Sequence, residues 1–209
     1  MEEIWIETPQ GKIYGRQMGT PGQPLVLGIH GWSQRNGWHT WEPLLGPLAD
    51  AGMYAVSVDM PGWGQSPAWY TGLLHPGVAA GIVVAMLDSL GYAAASLMGK
   101  SWGGAVALET ALQQPQRVTH LILTAPAFRD LDRLAGLTQP VLLAWAEDDP
   151  TIPFHYAAEI KDALPHCQLE SYPTGGHSAA PKNAVDFAPK AINFLQRGIH
   201  HDATNLSSR

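Results

Sequence analysis

The sequence predicts a single α/β domain: a mainly parallel sheet of about eight strands, with helices on both faces. Three observations carry this reading. Short apolar runs bounded by turn residues recur along the chain, helix-like runs separate them, and the two kinds alternate throughout.

The elements follow in order. "EIWIE" and "KIYGRQM" alternate in polarity and suit an edge hairpin. "PLVLGIHG" around Val26, "YAVSVDMPG" around Val56, "RVTHLILTAP" around Ile122 and "VLLAWAEDD" around Leu143 read as buried strands. "AAASLMG", leading to Gly99, is a weaker fifth, and "CQLESYP" near Leu169 is the last. Between them, "TWEPLLGPLADAG" ends at Gly52 and "HPGVAAGIVVAMLDSLG" at Gly91, glycine being a common helix stop. "SWGGAVALETALQQ" halts before Pro115, which cannot continue a helix. "FHYAAEIKDALPH" and "NAVDFAPKAINFLQR" complete the set, with Pro189 expected to disturb the second. Residues 1–197 form one domain, and "GIHHDATNLSSR", 198–209, reads as a frayed tail.

Composition narrows the function classes. The 209 residues are 45% hydrophobic and 14% charged, enough to bury a core and too apolar for disorder. A net charge of -6 without any Lys/Arg cluster disfavours nucleic acid and anionic membranes as partners. The single cysteine, Cys167, excludes an internal disulfide and a cysteine-based metal cluster. No apolar run is long enough to span a bilayer, and "MEEIWIETPQGK" lacks a basic region followed by an apolar stretch. A cytoplasmic protein with no membrane insertion is the expectation.

"LMGKSWGGAVAL" brackets one serine, Ser101, with Gly99, Gly103 and Gly104 where a strand gives way to a helix. Gly99 to Gly103 fits G-x-S-x-G, in which a strained turn holds the hydroxyl proud of the sheet beside free helix N–H groups. A serine needs a base to attack at neutral pH, and the base needs an orienting carboxylate. In folds of this type the order is Ser, then Asp/Glu, then His. "AWAEDDPTIP" places acids at the end of a strand, and "PTGGHSAAP" places His177 in a glycine-rich loop before the final helix. Asp148 and Asp149 compete for the acid role, Glu147 reads as solvated, and Asp130 or Asp132 is a further option. His39, His120, His155 and His166 read as packed or exposed, and His75 as capping the helix it begins, with lining the pocket as the alternative.

The chain resembles the α/β-hydrolase superfamily over nearly its full length, in particular its small single-domain serine esterases. The carriers are "IHGW" (Ile29 to Trp32), "DMPGWGQS" (Asp59 to Ser66), "GKSWGG" (Gly99 to Gly104), "AEDDPTIP" and "GGHS" (Gly175 to Ser178). The fourth resembles G-E-x-D-x-x-x-P with Ala146 in place of glycine, which makes Asp149 the acid. The resemblance implies Ser101, Asp149 and His177 as catalytic residues and the backbone N–H groups of Trp32 and Trp102 as an oxyanion hole. Such donors are worth on the order of 10²–10³ in rate each. "DMPGWGQS" reads as support for the fold.

Two departures stand out. Lys100 occupies a place where many relatives carry histidine, and reads as exposed. Only "FRDLDRLAGLTQ", Phe128 to Gln139, fills the gap where many relatives insert a helical lid, so the resemblance implies an α/β-hydrolase fold with a minimal cap. Of eight tryptophans, Trp32, Trp63, Trp69 and Trp102 are candidates for a substrate-binding rim, with Trp38 on a nearby loop; Trp5, Trp41 and Trp145 read as core. The expected activity is hydrolysis of a small-molecule carboxylic ester or thioester through an acyl-enzyme, without metal or cofactor. The alternatives are acyl transfer to another acceptor, peracid formation, or a non-enzymatic binding protein on the same fold. A serine at the corner disfavours an aspartate-nucleophile dehalogenase or epoxide hydrolase.

Overall fold

The computed structural model describes the backbone of residues 1–69 and 72–205, with side chains to residue 197. The strands β1 (Glu2–Thr8) and β2 (Gly11–Met18) form the antiparallel hairpin, in register from Glu2↔Gln17 to Thr8↔Gly11. Six more follow: β3 (Leu25–Ile29), β4 (Tyr54–Val58), β5 (Ala95–Lys100), β6 (Val118–Thr124), β7 (Val141–Ala146) and β8 (Cys167–Tyr172). The sheet runs β1-β2-β4-β3-β5-β6-β7-β8. Neighbours from β4 to β8 are parallel, and β2 joins β4 antiparallel. Every residue of β3, β4, β5 and β7 is buried, which explains their continuous rather than alternating apolar runs.

Two helical layers provide that burial. α1 (Glu42–Asp50), α5 (Ala179–Lys182) and α6 (Ala184–Asn205) cover one face, packing Leu44, Ala179 and Phe187 on Met98, Ile122 and Leu142. α2 (Pro76–Leu90), α3 (Trp102–Gln113) and α4 (His155–Ala163) cover the other, where Val83, Val106 and Ile160 join Leu97, Leu121 and Leu143. α2 stops at Gly91, whose φ of 78° only glycine adopts cheaply and whose N–H bonds back to Asp88 O.

Trp41 and Trp145 are core as expected, each indole N–H donating to a backbone carbonyl, Ile29 O at 3.0 Å and Ile152 O at 3.1 Å. Trp5 is not: it is 44% exposed and meets Tyr14 edge-on at 5.2 Å. It stands on β1, the edge strand of the sheet among the described residues. α6 takes up Pro189 without a break and continues past Gly198 to Asn205, beyond the expected start of the tail. Residues 206–209 lie outside the described residues.

Between β6 and β7 the chain makes only a short 3-10 segment, Leu131–Gly136. Phe128, Leu134 and Leu137 tuck it down, and Arg133 forks onto Glu109 at 2.6 and 2.9 Å. The minimal cap is therefore a strap against α3. Among the described residues no helix is long and apolar enough to cross a membrane.

Candidate active site

Ser101 joins β5 to α3 with φ 54° and ψ -117°. That region costs a non-glycine residue on the order of 1–3 kcal/mol and survives only where neighbours enforce it. Here they do: Ser101 N–H donates to Thr124 O at 2.9 Å, and Ser101 O accepts from Ala105 N–H at 3.1 Å and Ala127 N–H at 2.9 Å. The other non-glycine residue with positive φ among the described residues is Ala125, φ 41°, at the end of the adjacent strand. No sequence signal marked Ala125.

Asp149 follows β7 and its carboxylate is wholly buried. Oδ1 accepts the N–H groups of Thr151 (2.8 Å) and Ile152 (3.0 Å), and Oδ2 faces His177 Nδ1 at 2.8 Å. A buried carboxylate needs such donors, and the turn through Pro150 supplies two from the backbone. His177 rides a short turn, Gly176–Ser178, introduced by Gly175 (φ 146°) and Gly176 (φ 54°). With Nδ1–H donating to Asp149, Nε2 carries the lone pair. That atom is buried and has no hydrogen-bond partner. Ser101 Oγ makes no hydrogen bond to it among the described residues.

The competing acids separate by position. Asp148 is exposed and pins the histidine loop by accepting Gly176 N–H at 2.7 Å. Glu147 is exposed, as are Asp130 and Asp132 on the strap. Of the candidates, Asp149 alone meets His177.

The loop after β3 closes on the elbow. A Cβ at Gly31 would lie 3.5 Å from Ser101 Cβ and 3.3 Å from Asn36 Nδ2. Trp32 follows, and Trp102 is the first residue of α3, where the helix dipole favours negative charge. Among the described residues no hydrogen bond engages the backbone N–H of Trp32 or Trp102. His30 anchors this loop from beneath: Nδ1–H donates to Gly31 O at 2.7 Å, and Nε2 accepts Met60 N–H at 3.0 Å. "DMPGWGQS" forms the support expected of it, with Asp59 accepting from Trp38 N–H (2.7 Å) and Gln65 N–H (2.9 Å).

Burial pushes the His30 pKa from 6.5 down to about 4. The unfolded chain therefore binds a proton at His30 that the folded chain refuses, and stability falls as pH drops through that window. We expect a loss of about 2 kcal/mol between roughly pH 7.5 and pH 5 from this group. His120, also lowered by burial, adds in the same direction. Urea unfolding across that range checks this, and His30→Asn should flatten the dependence.

Three of the candidate rim tryptophans cluster. Trp32 meets Trp63 at 4.9 Å and Trp102 at 5.4 Å, both edge-on, while Trp63 stacks on Trp102 at 5.4 Å. Trp63 and Trp102 are 4% and 7% exposed and Trp32 is 40% exposed, so two buried indoles support one that faces solvent. Trp63 Nε1–H donates to Trp32 O, and Trp102 Nε1–H to Leu74 O. Trp32, Leu73, Leu74, His75, Pro76 and Trp102 line a cavity of about 280 Å³. His75 makes no side-chain cap to α2 and belongs to this wall instead. Trp69 packs over Gly11 in the hairpin turn, its ring 2.6 Å from where a Cβ would stand, and lies outside this cavity. Trp38 lies beneath the Arg16 guanidinium at 5.2 Å.

Lys100 is not exposed. It is 8% accessible, with Nζ donating to Asn36 Oδ1 at 3.2 Å. Among the described residues no group of three His, Cys, Asp or Glu side chains could hold a metal ion.

Comparison with known proteins agrees with this architecture. A 2-hydroxy-6-oxononadienedioate/2-hydroxy-6-oxononatrienedioate hydrolase from Burkholderia vietnamiensis is 34% identical over 113 residues, 54% of this chain and 39% of that protein. Epoxide hydrolase 3 of Siraitia grosvenorii is 28% identical over an alignment covering 93% of this chain and 60% of its own. The matches thus span about two fifths and three fifths of these relatives. A "predicted CIB-like hydrolase" from Thermoplasma acidophilum superposes with a TM-score of 0.84 at 24% identity, covering 94% of this chain and 98% of that one. The family model described as the alpha/beta hydrolase fold matches residues 24–138, and the chain belongs to that family.

Proposed function

We propose that the protein is a serine hydrolase of carboxylic esters or thioesters. The supporting observation is the His177–Asp149 pair at 2.8 Å, whose outer nitrogen is buried and unpartnered at the sheet edge that carries the strained Ser101. Ser101 Oγ attacks the ester carbonyl as His177 Nε2 takes its proton. Asp149 holds Nδ1–H and stabilises the imidazolium that forms. The N–H groups of Trp32 and Trp102 offset the charge on the tetrahedral oxygen. Collapse expels the alcohol or thiol, which receives the proton from His177. Water, deprotonated by the same nitrogen, then releases the acid and restores Ser101.

The Ser101–His177 hydrogen bond is one that forms in the reacting complex, where such contacts tighten. The 280 Å³ cavity beside Trp32 suits an apolar acyl or aromatic group. Epoxide opening of the kind named for one relative calls for a carboxylate nucleophile at the elbow, where this chain has Ser101.

A fluorophosphonate probe tests the reading. Wild type should be labelled, the adduct should map to Ser101, and Ser101→Ala should take up none. An unlabelled wild type would transfer the case to a binding protein on this fold. Product analysis with added alcohols or peroxide separates hydrolysis from acyl transfer and peracid formation.

A further inference from the structure

A second cavity, of about 230 Å³, borders the elbow on the side of α1 and α5 and shares no lining residue with the cavity beside Trp32. Asn36, Thr40, Lys100, Ser178 and Lys182 are among the residues that line it. It adjoins the candidate triad twice, since Lys100 precedes Ser101 and Ser178 follows His177. Asn36 closes the join, its amide packed against Gly31 beside Ser101.

The strand alternation explains how a lysine comes to be there. Lys100 ends β5 and shares the side of Met98, which faces α1 and α6. Its ammonium has three donors and spends one on a neutral amide oxygen, Asn36 Oδ1. Among the described residues neither Lys100 nor Lys182 forms an ion pair, although the chain carries a net charge of -6. A buried cation without a counter-charge is costly, and it is retained where something pays that cost. Burial and the neighbouring Lys182 push the Lys100 pKa down, and Asp149 opposes this only in part. The Asp149 oxygens are already engaged by Thr151, Ile152 and His177. Thr40 Oγ1, on the same wall, is buried without a partner. The buried, unneutralised Lys100 ammonium, the idle Thr40 hydroxyl, Ser178 and the exposed Lys182 thus border one space beside the reaction centre.

We infer that this cavity binds a carboxylate of the substrate, so that the preferred ester carries a free carboxylate on the portion of the molecule that reaches past Ser101 toward Lys100 and Lys182. The inference rests on the serine-hydrolase reading and names its substrate class. It differs from a merely structural role for Lys100, which predicts no preference between charged and neutral esters.

The test compares kcat/KM for p-nitrophenyl hemiglutarate with that for p-nitrophenyl valerate, which has an acyl chain of the same length ending in methyl. Wild type should favour the anionic ester by about tenfold or more, the equivalent of one charge-assisted contact. Lys182→Gln, at an exposed position, should bring the ratio toward one, and Lys100→Gln should do the same if it folds. Lys12→Gln makes the same charge change beside Glu7 in the hairpin and should keep the wild-type ratio. A wild-type ratio of one, or equal losses in Lys182→Gln and Lys12→Gln, overturns the inference. Glutarate binding by calorimetry separates the two readings. Lysine-dependent binding with neither ester turned over would sink the hydrolase reading and leave the cavity assignment standing. Turnover of the valerate ester without glutarate binding would sink the cavity assignment alone.

Discussion

Asp149→Asn should lower kcat for p-nitrophenyl ester hydrolysis by about 10⁴, with the chain folded as before. The reason lies in which atoms the carboxylate serves. Oδ1 takes two backbone N–H groups, from Thr151 and Ile152, so an asparagine must keep its carbonyl oxygen there. Its NH₂ then points at His177 Nδ1, where the carboxylate had accepted a hydrogen bond from Nδ1–H. Two donors cannot share that contact. The imidazole answers by moving its proton to Nε2, and the nitrogen that should deprotonate Ser101 becomes a donor. The variant fails through the wrong tautomer and through an imidazolium that no anion stabilises. Asp148→Asn provides the contrast. Asp148 touches the Gly176 N–H and not the imidazole, and an asparagine oxygen can still accept that bond. Its kcat should stay within about threefold of wild type, a change of less than 1 kcal/mol. Equal losses in the two variants would reassign the acid.

The strand and helix order was legible because each signal is local: an apolar run closed by glycine or proline states its own identity. The order Ser101, Asp149, His177 could be offered as a candidate triad because the resemblance to the family's motifs implies it. What escaped depends on contacts made across the fold. Lys100 looks like any charged residue beside a loop, and its burial follows from Asn36 and α5, far away in sequence. His75 sits where a helix cap or a pocket wall would both fit, and only the packing of Trp32, Leu74 and Trp102 decides for the wall. Trp5 has the composition of a core residue, and only sheet order shows that β1 is an edge. Spacing alone also cannot say which tryptophans face solvent. Trp63 and Trp102 lie next to the site but are buried edge-to-face with Trp32 and give their N–H groups to carbonyls.

The glycines around Ser101 lead to the second large effect. Gly103→Ala should destabilise the fold by about 3 kcal/mol and lower activity by roughly 10², whereas Gly81→Ala should stabilise it by about 0.5–1 kcal/mol. Both positions are helical, neither has a positive φ, and both receive the same methyl group. Only the surroundings differ. At Gly81, on the exposed side of α2, a Cβ meets nothing within 4 Å. At Gly103 it would drive into the carbonyl oxygens of Ile29 and His30, which are backbone and cannot rotate away. Gly99 shows the same closeness from the strand, its Cβ position 2.5 Å from Gly103 O and 2.6 Å from Gly104 Cα. Gly104 in turn would meet Pro126 Cβ at 2.7 Å. α3 therefore lies main chain against main chain on β3 and β5, which brings the first N–H of the helix beside Ser101. A methyl at 103 should push the helix outward by about 1 Å and carry Trp102 N–H away from the position beside Ser101 that the proposed mechanism assigns it. Urea unfolding and kcat measured on both variants give the test. A Gly103→Ala protein of wild-type stability and rate would mean that the corner tolerates a looser helix than this packing allows, and that the glycines answer to the turn alone.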